Sequence, residues 1–193
     1  SVGAMWNIKK EAFLQNVSWL DNLQLKASYG TTGNSGISPY NALALVGSGI
    51  QYNGQSGIAP ITVGNDDLTW ESMRTLNLGL SARVFNRFSV ELEFYNRDTE
   101  DMLMSYPLSY TTGHGSGVEN VASMRNRGVD LTLGVDILKT RDFFWSVSGN
   151  INYNQNEITK LFNGLDEYIL PDTGLKMKVG KPWGEYYYVK WAG

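Results

Sequence analysis

Residues 126–156, NRGVDLTLGVDILKTRDFFWSVSGNINYNQN, hold two long runs of alternating polarity on either side of a short charged turn. In the first run Val129, Leu131, Leu133, Val135 and Ile137 fall on one face, and Asp130, Thr132, Gly134 and Asp136 on the other. In the second, Phe143, Trp145, Val147, Ile151 and Tyr153 oppose Ser146, Ser148, Asn150, Asn152 and Asn154. A period of two marks a strand with one apolar and one polar side. A soluble sandwich gives the same alternation, so length has to separate the two.

The same pattern predicts strands in SVGAMWNI (1–8), NLQLKASYG (22–30), SMRTLNLGLSARV (72–84) and RFSVELEFYNRD (87–98). A further strand is expected to begin at EYYYVKWAG (185–193). Soluble strands are mostly about 5–6 residues long, whereas crossing an outer membrane takes about 9–11. The runs from Ser72 to Val84 and from Phe143 to Asn156 exceed both. Residues 85–87 and 138–142 read as tight turns, while 31–70, 107–125 and 157–184 read as long polar connections at the opposite end of the meander. Short turns on one side and long loops on the other are what outer-membrane barrels show. Aromatics cluster near both strand ends: Phe85, Phe88, Phe143, Phe144 and Trp145 by the short turns, and Trp70, Tyr106 and Tyr153 towards the loops. Interfacial girdles require that placement.

On the barrel reading Glu91, Glu93, Asp130, Asp136, Asn150, Asn152 and Asn154 line a wet lumen, and the Leu, Val and Phe positions meet lipid. A half-buried soluble sheet would turn the same polar set towards bulk water. Periodicity does not choose between them.

Composition removes several other classes. Sixteen basic against nineteen acidic residues leave a net charge of -3, which is no footprint for nucleic acid. Without cysteine there is neither a disulfide framework nor a thiolate metal site. The single histidine, His114, lies in a Gly-rich loop and reads as solvated, so no metal site is expected. The loop carboxylates Asp66, Asp67, Asp166 and Glu167 also read as solvated, with calcium the rarer alternative. Neither a nucleophile elbow nor a phosphate-binding loop can be built from GHGSG or GTTGNSG, so an enzyme is not expected, nor a cofactor. Tyr40, Tyr52 and Tyr110 are the candidate loop aromatics for stacking on a substrate, with Trp183 and Tyr186 either joining them or anchoring at the membrane boundary. The N-terminus shows no signal peptide, and no apolar run is long enough for a membrane helix. Because the sequence starts and stops within strands, it is expected to be a piece of a larger protein.

Five stretches carry a family resemblance: LKASYGTTGN (25–34), NDDLTWESMRTLNLGL (65–80), YNRDTEDMLMSYPLSYTTG (95–113), NRGVDLTL (126–133) and VGKPWGEYYYVKWAG (179–193). In order, wording and spacing the chain resembles the SusC/RagA-like TonB-dependent transporters of Bacteroidetes outer membranes. The resemblance implies an all-β fold, a segment making roughly a third of a 22-stranded antiparallel up-and-down barrel. Residues 1–193 would then belong to the barrel domain, with the plug domain and TonB box outside this sequence. It further implies import of an oligosaccharide or peptide across the outer membrane, driven by TonB and assisted by a SusD-like surface lipoprotein. A siderophore or cobalamin receptor of the same barrel type, and a soluble carbohydrate-binding β-sandwich, are the alternatives.

Overall fold

The computed structural model describes residues 1–36, 42–170, 173–188 and 191. The strands are β1 (Val2–Asn7), β2 (Leu20–Asn34), β3 (Val46–Tyr52), β4 (Gln55–Pro60), β5 (Glu71–Val84) and β6 (Phe88–Pro107). They continue as β7 (Ser116–Lys139), β8 (Phe144–Leu161), β9 (Glu167–Leu170), β10 (Leu175–Lys178) and β11 (Glu185–Tyr186). Six of them form one sheet in the order β1-β2-β5-β6-β7-β8, an up-and-down meander. The chain divides into two compact units, Ser1–Thr31 with Arg74–Asp98 and Arg125–Glu157, and Thr32–Met73 with Thr99–Met124 and Ile158–Gly193.

The first unit holds β1, most of β2, β5 and β8, and the turn-proximal parts of β6 and β7. Its strands pair as alternation demands. Trp6 stands opposite Leu25, Ala4 opposite Ala27 and Val2 opposite Tyr29, all on the apolar face. The turn after β5 closes through Arg87 N–H donating to Val84 O at 3.1 Å, with Phe85 and Asn86 both in the left-handed region at φ 53° and 54°. Two left-handed residues match the twist of the flanking strands. Phe85 is an uncommon residue there, and it is held by its N–H donating to Trp19 O at 2.8 Å, with the two rings 6.1 Å apart. The turn between β7 and β8 closes through Thr140 N–H donating to Phe143 O at 2.9 Å. Lys9 ties down the longer link before β2, its Nζ donating to Leu14 O and Val17 O at 2.9 and 2.7 Å.

Two of the conspicuous sequence stretches turn out to be each other's complement. Asn96 and Asp98 of β6 meet Arg127 and Arg125 of β7: Arg127 Nε donates to Asn96 Oδ1 at 3.1 Å, and Arg125 Nε to Asp98 Oδ1 at 2.5 Å. On the polar face Tyr95 lies over Gly128 and donates to Asn154 Oδ1 at 3.1 Å. A Cβ at residue 128 would collide with the Tyr95 ring and stand 2.6 Å from Tyr153 O. Only glycine leaves room for the ring there.

The expected long connections contain more strand than alternation suggested. β6 runs on to Pro107 and β7 starts at Ser116, so the connection expected at 107–125 shrinks to 108–115. Likewise β2 reaches Asn34 and β8 reaches Leu161. In these extensions Val121, Ala122 and Ser123 of β7 are buried in succession, so both faces are covered and no period of two survives there; Thr99 of β6 is buried too. The strand expected at 185–193 is corrected more sharply: Glu185–Tyr186 pairs with Leu175–Lys176 in a three-stranded sheet, order β11-β10-β9, and does not join the large sheet.

The Tyr95–Gly128 packing gives a direct test in the intact protein. Gly128→Ala should lower thermal stability by about 1–3 kcal/mol, the usual cost of forcing an atom into filled space. Gly149→Ala, where no neighbouring atom lies within 4 Å, should leave the unfolding midpoint unchanged. Equal midpoints for the two variants would remove Tyr95 as the reason for glycine at 128.

Candidate functional site

The first unit is a wall with two unlike surfaces. On one, Glu91 and Glu93 of β6 and Asp130 of β7 converge with Lys26, Ser81 and Thr132 around a recess of about 100 Å³. Asn152 Nδ2 donates to Asp130 Oδ1, and Asn150 is exposed on the same strand. Arg83 binds Asp136 at 2.5 Å, and Asn77 Nδ2 donates to Ser28 Oγ at 3.3 Å. Of the residues expected from alternation, Glu91, Glu93 and Asp130 line the recess, Asn152 joins them through Asp130, and Asn150 is exposed outside it.

The opposite surface is apolar and open. Leu25, Leu78, Leu92, Phe94, Leu133, Val147, Ile151 and Tyr153 are all exposed, Ile151 and Tyr153 by more than half. A half-buried soluble sheet would cover such a row, because each large side chain left in water forgoes about 1.5–3 kcal/mol. Leu20 is the single buried hydrophobic residue among the described residues of this unit. Such a wall suits a hydrocarbon solvent on one side and water on the other.

The second unit has a core of its own. Val121, Ala122, Ile158, Leu161 and Met177 are buried, with Met102, Met104, Tyr106, Phe162, Tyr168, Leu170 and Trp183 packed around them. Trp183, expected as an exposed loop aromatic or a membrane anchor, is thus part of this packing, whereas Tyr186 is 79% exposed and stacks on Tyr188. Beside the core lies a cavity of about 300 Å³ lined by Met104, Tyr106, Val121, Phe162, Tyr168 and Met177 among others. Tyr40 lies outside the described residues, and so do the side chains of Tyr52 and Tyr110.

Asn120 is the residue that alternation could not single out. Its amide donates to Thr69 O at 3.0 Å and Asp101 O at 2.7 Å, while its carbonyl accepts from Thr69 N–H at 2.9 Å. With Asn65 Nδ2 donating to Val118 O at 3.1 Å, it pins the NDDLTW stretch to the start of β7. An asparagine amide supplies two donors and an acceptor, which suits a clamp between backbones. The loop carboxylates do not converge: among the described residues no three His, Asp or Glu side chains could hold a metal ion. Glu167 is taken up by Lys176 and Lys178, at 2.7 and 3.5 Å.

Comparison with known proteins agrees with this geometry. Residues 1–189 match the family model described as TonB dependent receptor-like, beta-barrel. The TonB-dependent receptor P39 of Formosa agariphila is 32% identical over 97% of this chain, which covers 18% of that protein. TonB-dependent receptor SusC of Bacteroides thetaiotaomicron is 32% identical over 93% of the chain and 19% of its own length. Among solved structures, the RagAB peptide importer in its closed-closed state superposes with a TM-score of 0.87 at 45% identity, over 95% of this chain and 20% of that one. The chain spans about a fifth of the length of the relatives it matches.

The Glu167 bridge makes the β9–β10 pair sensitive to acid. Its hydrogen bond from Lys176 holds the Glu167 carboxyl below its ordinary value of 4.5, and the same bond raises Lys176. A depressed carboxyl contributes stability above its unfolded pKa and loses it as pH falls through the folded one. Proteolysis by an acid-active protease between residues 167 and 186 should therefore speed up as pH drops below 4.5. Glu167→Gln should be cut at the faster rate already at pH 5 to 7, with no further rise on acidification from this group. An unchanged cutting rate in that variant would separate the bridge from the folding of this loop.

Proposed function

The chain belongs to the TonB-dependent receptor β-barrel family, and from that premise we propose that it forms part of an outer-membrane importer of peptides. The observation that carries the peptide reading is its higher identity to the RagAB peptide importer than to SusC over nearly the same residues. Oligosaccharide import is the second reading, supported by the curated SusC relative. In either case the protein moves its substrate unchanged and is not an enzyme. Energy comes from TonB through a part of the protein outside these residues, and residues 1–193 contribute to the barrel domain.

The same reading assigns the two surfaces. Glu91, Glu93, Asp130, Asn150 and Asn152 face the lumen, where polar side chains remain hydrated. Leu78, Leu131 and their neighbours face lipid, where an arginine at the midplane costs about 2–4 kcal/mol. The second unit belongs outside the cell, where a folded loop body can meet substrate and a SusD-like lipoprotein. Loops on a rigid wall are the usual place for such recognition.

Cells lacking the intact protein and complemented with it should take up labelled oligopeptides. Uptake should fall to the level of the deletion strain when the gene is removed or TonB is inactivated. Uptake of labelled oligosaccharides and not of peptides would replace the peptide reading with the second one.

Topology is read separately. The chain has no native cysteine, so Ser56→Cys, Ser116→Cys, Asn163→Cys and Thr140→Cys each place a single thiol at an exposed residue. An impermeant thiol reagent on whole cells freed of the lipoprotein should label the first three. It should reach Thr140→Cys only after the outer membrane is breached. Labelling at residue 140 on intact cells would invert the orientation and with it the assignment of the loop body.

A further inference from the structure

The apolar surface of the first unit is not evenly filled. Between Trp6 and Leu25 on one side and Leu78, Leu80, Leu92 and Phe94 on the other runs a groove of about 500 Å³. Ala4 and Ala27, directly paired across β1 and β2, form its floor, so two neighbouring positions on a wall of large side chains are short. The volume falls within the ~300–1,000 Å³ of ligand pockets. Lys26, which alternation assigns to the polar face of β2, is the one charged residue in its lining.

Polar chemistry begins one step beyond the groove towards the loop-side ends of the strands. Along β6 the next residue after Phe94 on that face is Asn96, and Asn96 holds Arg127 of β7. Arg127 is exposed and gives its Nε–H to a neutral amide. A guanidinium carries five donors in a planar fork, so the remaining four suit a phosphate. Arg125 beside it is bound to Asp98, whose carboxylate also faces Arg127, so the two arginines against one carboxylate leave Arg127 as the group to add charge recognition. Tyr29, 47% exposed, stands one pair beyond Ala27 on the same face. An apolar groove with a tyrosine and an arginine further along the same face, towards the loop-side ends of the strands, has the layout of a lipid: chain below, headgroup above.

We propose that the groove over Ala4 and Ala27 holds an acyl chain of a phosphate-bearing lipid of the outer leaflet, with its phosphate at Arg127. The site rests on the membrane orientation given under the proposed function and adds to it a retained lipid, which is scored independently of uptake. Bulk lipid would wet this surface anyway; what is proposed is retention through detergent purification.

The intact protein, purified from outer membranes in mild detergent, should carry a phosphate-bearing lipid visible by native mass spectrometry and by extraction. Ala27→Phe, which fills the floor, should abolish retention. Arg127→Gln should lower the preference for phosphate-bearing over neutral lipid about fivefold, the scale of one basic residue at an anionic lipid surface. Arg97→Gln, at the alternate position on the other face of β6, should change neither. Should Ala27→Phe fail to assemble, stripped wild-type protein supplies the second measurement. Vesicles of phosphate-bearing lipid should raise its unfolding temperature more than neutral vesicles do, and inorganic phosphate alone should not. Absence of retained lipid, equal retention in wild type and Arg127→Gln, or an equal shift with inorganic phosphate would each overturn the proposal. Normal peptide uptake alongside any of those results would leave the transport reading standing.

Discussion

Every backbone N–H and C=O in a strand that crosses hydrocarbon must be paired with a neighbouring strand, because lipid offers no substitute partner. That requirement is why β2, β5, β6, β7 and β8 are long, why they follow one another in a meander, and why the links between them at one end are tight. It also fixes what the side chains may do. With the ladder satisfied within the sheet, the two faces are free to match two different solvents. Leu, Val and Phe take one, and Glu, Asp, Asn and Thr take the other.

Such a wall has a weakness: a slip of one residue would exchange its faces. The β6–β7 pair carries the remedy on both sides. Tyr95 fits only over Gly128, Asn96 bonds Arg127, and Asp98 bonds Arg125. One of these contacts lies on the polar face and two on the other, so a shifted register would break all of them together. The aromatic-over-glycine packing and the charge-assisted bonds thus act as a register key. They explain why the YNRD and NRG stretches stand out as a pair.

In the second unit the constraint is different, and so is the architecture. In the second unit the strand extensions are no longer required to show lipid on one side. They bury Val121, Ala122, Ile158 and Leu161 against Met177 and its neighbours, as a soluble domain would. Asn120 and Asn65 bind loop backbone that lacks a ladder partner. Stability there comes from packing and from the Glu167 bridge, which is why that unit alone is expected to respond to acid through this pair.

The sequence by itself determined the wall. Alternation over Ser72–Val84 and Phe143–Asn156, the turns near 85–87 and 138–142, and the shared polar face of Glu91, Glu93 and Asp130 were all legible, because a sheet with two unlike surroundings imposes a period of two on its side chains. The chain's motif wording further supplied a family. Only the tertiary structure decided the loops. It turned residues 185–186 into the edge of a small sheet, placed Trp183 against a core, and brought Asn120 to Thr69 across 51 residues. The reason is physical. A face buried against its own chain can take any apolar residue at any spacing, and a clamp made of one asparagine leaves no periodic trace, so both become visible only when distant segments meet.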